Sequence, residues 1–164
     1  MDCPLLAAYE ATGQLSEQAL AELTDEDGTG AGLRLYHGYR QRPNVAFARA
    51  LLAELSARYM HAYAHGGPAT MEGLLLAGYL IGLHGDVGDA LVLWRTKQLT
   101  FDTYCGFDIQ LVAFAGIDPT MAYLQGLPDP DAAAAVAYLQ QCKEAGDFDQ
   151  LADYFSPDHL PYWI

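Results

Sequence analysis

The segment TFDTYCGFDIQ, residues 100–110, contains side chains that could do chemistry. Its two acids, Asp102 and Asp108, flank Cys105. A cysteine acts as a nucleophile when a base assists it, and a histidine distant in sequence, such as His84, could be that base. Two carboxylates can bind a divalent metal ion or act as general acid and base. One hypothesis is therefore a metal-dependent or acid/base hydrolase built around these residues.

The same segment can be interpreted as a joint between two helices. Thr100 or Asp102 would cap the first turn after Leu99, and Asp108 would cap the helix that follows. The expected core side chains are Phe101, Cys105 and Phe107. We favour the joint over a reactive thiol, because the two neighbouring acids oppose formation of a thiolate at Cys105.

A third interpretation of the segment is a recognition surface. Asp102, Tyr104 and Asp108 would then face a partner and bind it. Tyrosine suits such a surface because its ring offers a large contact area and its hydroxyl a polar end. The direction in which the two acids point decides between this interpretation and the other two.

Candidate metal ligands occur in two other places. His61 and His65 are four residues apart on a predicted helix, so their imidazoles can face the same way. They lack the glutamate that follows the first histidine in the helical zinc-protease motif. Asp25 and Asp27 match the start of an EF-hand loop, but Tyr36 replaces the carboxylate of its last position. The sequence predicts no metal and no cofactor.

Apolar spacing predicts an all-α fold of about eight helices. The longest helix should follow Asn44, with apolar residues at steps of three and four. The segments 69–83 and 87–99 should form an αα-hairpin about a His-Gly-Asp turn. The apolar residues of 108–115 fit the period of a helix or that of a strand. The helices predicted around this segment favour a helix.

The helices are expected to pack as stacked αα-hairpins in one compact domain, residues 1–164. Gly85-Asp86 and Gly146-Asp147 each precede a helix, which resembles the turn between paired helices in tetratricopeptide-like repeats. The C-terminal residues, 161–164, are largely apolar. They should dock on the chain's own core or on a second copy, so the predicted state is monomer or homodimer.

Charge excludes several classes of partner. The chain of 164 residues has 21 Asp and Glu but 8 Lys and Arg, for a formal net charge of −13. Phosphate binding needs clustered cations, so nucleic acid and anionic membranes are not expected partners. The longest apolar run, 73–83, is shorter than a bilayer crossing. Three cysteines without a CxxC pair, and Asp2 where a signal peptide would be basic, predict a cytoplasmic protein.

These features together favour a protein that binds and is not an enzyme. The chain is acidic, contains 11 Tyr and has no complete catalytic or cofactor motif. In composition and size it resembles the small acidic immunity proteins with which bacteria neutralise basic toxins. That resemblance implies a basic protein partner.

Overall fold

The structure is a computed structural model that describes residues 3–24, 30–68, 70–158 and 160–164. The described residues form α-helices and no β-strand, which confirms the all-α prediction. The helices are α1 (Pro4–Thr12), α2 (Glu17–Leu23), α3 (Ala31–Gln41), α4 (Val45–His65), α5 (Met71–His84), α6 (Ala90–Lys97), α7 (Phe101–Gly106), α8 (Ile109–Val112), α9 (Ile117–Gln125), α10 (Pro130–Ala145) and α11 (Leu151–Tyr154). One turn of 3₁₀ helix, Val87–Asp89, precedes α6.

The described residues contain eleven α-helices, so the expected number of about eight was too low. Two of the additional helices are α1 and α7, with 9 and 6 residues. Helices of this length complete few turns, so they contain too few apolar residues to show a helical period in the sequence. In the ambiguous segment 108–115, only Ile109–Val112 form a helix, α8, as the context predicted, and 113–115 form a turn.

Contacts within the chain group it into two compact units. The first unit comprises Met1–Leu80 with Trp163–Ile164, and the second comprises Ile81–Tyr162. Helix α5 contributes 71–80 to the first unit and 81–84 to the second. The expectation of one domain for residues 1–164 stays a prediction, as does the stacking of the helices in hairpins.

The first unit is built around α4, the longest described helix. The Asn44 side chain caps it by accepting a hydrogen bond from the Phe47 amide at 3.1 Å, as the sequence predicted. Its buried stripe begins at Phe47 and ends at Leu55. Beyond that point the helix is partly or fully exposed, and Tyr63 is 63% exposed.

Helices α1 and α3 approach each other closely where α1 begins. Gly38 of α3 lies against Cys3, the residue before α1. A Cβ added at Gly38 would lie 2.6 Å from the Cys3 Cβ, well inside van der Waals contact. The missing side chain at position 38 is therefore what allows the two backbones to pack at this distance.

The second unit is organised about α6, which contacts α7, α8, α9 and α10. Arg95 of α6 holds the start of α10 by pairing with Asp129 at 2.7 Å and Asp131 at 2.9 Å. Asp129 also caps α10 through the Asp131 amide at 2.8 Å. The cation and the helix cap thus fix the same turn.

The C-terminal tail has one defined aromatic contact within the first unit. The Trp163 ring lies 5.8 Å from the Tyr79 ring in an edge-on arrangement. This contact agrees with docking of the tail on the chain's own core. Tyr162, the residue before it, is 97% exposed.

A membrane crossing requires a helix that is both long and apolar over its length. None of the helices in the described ranges meets both conditions.

We predict that Gly38→Ala is less stable than Gly32→Ala by about 1–3 kcal/mol, the usual cost of overpacking. Both glycines lie in α3, so both variants receive the same kind of helix-propensity gain. A Cβ at Gly32 would meet its nearest atom, Leu76 Cδ2, at an ordinary 3.5 Å. Urea denaturation of both variants measures the difference. Equal stabilities would show that α1 moves away from α3 without cost.

Candidate functional site

The segment 100–110 forms α7 and the start of α8 in the second unit. A reciprocal capping box starts α7. The Thr100 hydroxyl accepts from the Thr103 amide at 3.2 Å, and the Thr103 hydroxyl accepts from the Thr100 amide at 2.8 Å. The capping expected from Thr100 is thus present, and two amides that have no partner within the helix are satisfied.

The other end of α7 is held by Lys97, the last residue of α6. Lys97 is 3% exposed, and its Nζ donates to the carbonyls of Tyr104 at 2.5 Å and Phe107 at 2.7 Å. Carbonyls at the end of a helix lack intrahelical donors and carry partial negative charge. The ammonium group supplies both the donors and the opposite charge.

Aromatic rings surround the same ammonium group. Nζ lies 5.4 Å from the centre of the Tyr104 ring and 5.7 Å from that of Tyr138. The Tyr138 ring also contacts Tyr104 and Trp94, at 5.6 and 5.5 Å between centres. The negative faces of such rings attract a cation, which offsets part of the cost of burying it.

Burial lowers the pKa of Lys97 from its usual range, and the nearby Asp108 is the strongest of the charges that oppose this shift. Lysines with a lowered pKa can act as nucleophiles. Here the amine already donates two hydrogen bonds to main-chain carbonyls. The arrangement therefore suits a cation that fixes the end of α7 better than a reactive amine.

The two acids of the segment point in different directions. Asp108 is half-buried and accepts a hydrogen bond from the Tyr154 hydroxyl at 2.7 Å, whereas Asp102 is exposed. The expectation that the Asp108 side chain caps α8 was wrong, because that side chain makes no capping hydrogen bond. Instead it ties α11 to the start of α8.

The expected core of the segment is only partly correct. Phe107 is fully buried, but Phe101 is 76% exposed and Cys105 is exposed. The reason is the length of α7: a helix of six residues turns one narrow face inward, and Thr103 occupies that face, while Phe107 is buried directly after the helix ends. Phe101, Asp102, Tyr104 and Cys105 are left outside.

The predicted catalytic partners are not joined by hydrogen bonds. His84 lies exposed at the end of α5. Within the described ranges, no hydrogen bond or ion pair links it to Asp102, Cys105 or Asp108. The hydrolase hypothesis stays a prediction.

The other candidate metal ligands lie outside the segment 100–110. His61 and His65 are exposed near the end of α4, and their rings are stacked with centres 4.6 Å apart. Asp25 and Asp27 lie outside the described residues. In the part of the chain that the structure describes, no group of three or more His, Cys, Asp and Glu side chains is placed to hold a metal ion.

Sequence analysis missed Lys97, Tyr138 and Tyr154. Lys97 gave a weak signal, since it is one of only two lysines and lies in the last turn of a predicted helix. Tyr138 and Tyr154 gave none. Tyr154, for example, meets Asp108 across 46 residues of sequence, and no local pattern encodes that pairing.

Comparison of the chain with models of protein families, with curated proteins and with solved structures finds no match. The geometry and charge of the chain itself must therefore support any functional conclusion.

We predict that Lys97→Met lowers the free energy of unfolding by about 1–3 kcal/mol, because two carbonyls lose their donor. Methionine keeps most of the aliphatic length, so lost packing contributes little. Lys143→Met is the control, since Lys143 is exposed and its 2.6 Å ion pair with Asp118 should contribute about 1 kcal/mol or less. Urea denaturation near neutral pH compares the two. A Lys97 variant as stable as the control would contradict the role assigned to the ammonium group.

Alkaline pH should destabilise the fold through Tyr138. Burial, with smaller contributions from Cys142 and Tyr104, raises the pKa of Tyr138 to about 12. Between about pH 10, where an unfolded tyrosine ionises, and pH 12, the unfolded chain binds fewer protons than the folded chain, so stability falls. Tyr138→Phe should make this fall less steep, as measured by urea denaturation under reducing conditions across the same pH range. Identical slopes would contradict the assignment.

Proposed function

We propose that this protein is a non-enzymatic binding protein whose acidic surface binds a basic protein partner. The observation that carries the proposal is that every cationic side chain of the chain already has an intramolecular partner. The surplus of carboxylates can then be neutralised only by salt or by another molecule. A basic partner supplies that charge and gains both affinity and speed of encounter.

Each Lys and Arg side chain has a partner within the chain. Ion pairs engage five of them: Arg34, Arg42, Arg58, Arg95 and Lys143. The guanidinium of Arg40 lies over the Tyr36 ring at 6.0 Å, and Lys97 is buried against two carbonyls. Arg49 also has a partner within the chain. These are all 8 Lys and Arg of the sequence.

The surplus of acid is uneven along the chain. The residues of the second unit include 12 Asp and Glu against 3 Lys and Arg, a formal net charge of −9. Those of the first unit include 9 against 5, a net charge of −4. No Lys or Arg follows Lys143 in the sequence. The second unit is therefore the part of the chain expected to attract a cationic partner.

Within the second unit, the outer face of α7 offers apolar contact next to negative charge. Phe101 is 76% exposed and Tyr104 is 39% exposed, and they lie three residues apart on one side of the helix. Asp102 is exposed beside Phe101. Aromatic side chains often contribute most of the binding energy of an interface, and a neighbouring acid adds preference for Lys or Arg.

The α7 face is also held in place before any partner arrives. The Thr100–Thr103 capping box fixes the start of the helix, and Lys97 fixes its end. A surface that is already ordered loses less conformational entropy on binding than a mobile one. This favours α7 over the rest of the acidic surface as the centre of the interface.

The proposal includes a reduced compartment, the cytoplasm, as the place where the protein works. The three cysteines, Cys3, Cys105 and Cys142, are all free thiols. The resemblance in size and composition to small acidic immunity proteins supports a basic toxin as the class of partner. Whether the protein works as a monomer or as a homodimer stays a prediction.

The test measures binding of a fluorescent peptide rich in arginine and leucine to the full chain by anisotropy. We expect Phe101→Ala to weaken binding by about tenfold, the effect of a binding hot spot. Asp102→Asn should weaken it less, and added salt should weaken it progressively. A peptide with glutamate in place of arginine should not bind.

Matched controls separate a defined surface from general charge attraction. Tyr162→Ala removes another aromatic side chain, which is 97% exposed, and Asp153→Asn removes one exposed carboxylate of α11. Both controls should bind like the wild type. If Phe101→Ala matches Tyr162→Ala, or if Asp102→Asn matches Asp153→Asn, α7 is not the interface. If no variant and no salt concentration alters binding, the proposed function is wrong.

A further inference from the structure

We infer that His61 and His65 form a binding site for one divalent transition-metal ion, with Zn²⁺, Ni²⁺ and Cu²⁺ as the class of ligand. The two histidines lie in the last two turns of α4, in the first unit. Helix α7 belongs to the second unit, and the inference does not depend on the proposed binding of a basic protein.

The separation of the two imidazoles fits one shared metal ion. A metal–nitrogen bond of about 2.1 Å puts the ion about 3.2 Å from the centre of a ligating imidazole ring. Two imidazoles in neighbouring coordination positions, about 90–110° apart, then have ring centres about 4.5–5.2 Å apart. The rings of His61 and His65 have centres 4.6 Å apart and planes inclined by 27°. The helix therefore holds the two side chains at the required separation. Because the rings are stacked, the exposed His61 ring must turn out of the stack so that the ion lies in the plane of both rings.

A hydrogen bond fixes which nitrogen of His65 can bind the ion. Its Nδ1 lies 3.1 Å from the main-chain carbonyl of His61. A carbonyl only accepts, so Nδ1 carries the proton and donates it, and the lone pair of the neutral ring is on Nε2. Metal-ligating histidines characteristically donate their other ring nitrogen to a carbonyl or carboxylate in this way. The contact thus orients His65 as a ligand and fixes its tautomer.

The charges around the pair do not repel a cation. The site lies at the C-terminal end of α4, where the helix dipole favours positive charge. The nearest cation along the helix is Arg58, one turn before His61, and its guanidinium is paired with Glu17 at 2.6 Å and Glu54 at 2.7 Å. Its charge is compensated within the chain. Gly66 and Gly67, which follow the helix, are exposed and place no side chain over the rings.

Ligand type and number define the class of ion. Imidazole suits zinc, copper and nickel, whereas Mg²⁺ and Ca²⁺ prefer oxygen ligands. No third protein ligand completes the site among the described residues, so water fills the remaining positions. Such a site exchanges its ion readily, and its affinity should follow the order in which Cu²⁺ exceeds Ni²⁺ and Zn²⁺.

The experiment titrates the full chain with Zn²⁺, Ni²⁺ and Cu²⁺ salts by calorimetry. We expect one ion per chain, and a loss of affinity of about tenfold or more in His61→Ala and in His65→Ala, because each variant breaks the chelate. His84→Ala, which removes an exposed histidine at the end of α5, is the matched control and should bind like the wild type. Mg²⁺ should not compete.

Two outcomes would overturn the inference. The exposed thiol of Cys105 is an alternative ligand, so the titration is repeated with Cys105→Ser. Binding that is lost in Cys105→Ser but kept in His61→Ala would assign the ion to the thiol. Absence of saturable binding in the wild type would exclude the site altogether. Broadening of the 61–66 amide resonances by Cu²⁺, absent in His65→Ala, would locate the ion on α4.

Discussion

The burial of one ammonium group organises the candidate surface. Lys97 is 3% exposed and contacts two carbonyls and two aromatic rings that belong to α7, α10 and the loop after α7. A six-residue helix does not stay folded by itself in water. The cation at its end and the threonine pair at its start replace the stability that its length cannot supply. The exposed side chains of α7 depend on that support for their fixed positions.

The remaining contacts of the segment extend this support to the end of the second unit. Asp108 accepts from Tyr154, and the Gln110 amide donates to the Asp147 carbonyl at 2.9 Å. Both bonds hold the acidic residues that follow α10 against the start of α8. Hydrogen bonds thus position these acidic residues, although the chain has few cations with which they could form ion pairs.

Local sequence patterns predicted well where the helices lie, but they predicted poorly which side chains contact each other between helices. The cap at Asn44 was recognisable, because a cap and the apolar stripe behind it lie within a few residues. The side chain of Lys97 was not, because its burial follows from the packing of α6 against α7 and α10. Exposure of Phe101 was missed for the related reason that residue type alone does not tell which face of a short helix turns inward. The site was therefore predicted in sequence position but not in its supporting contacts.

The contact between Cys3 and Gly38 has a consequence for evolution. The clash that a side chain at position 38 would create is with the Cβ atom of Cys3, at 2.6 Å, and not with its sulfur, at 3.7 Å. Every residue except glycine has that Cβ, so a smaller side chain at position 3 gives no relief. Related chains that keep this helix pair should therefore vary at position 3 while position 38 stays glycine. The two positions would then show one-sided conservation and not covariation, although they touch.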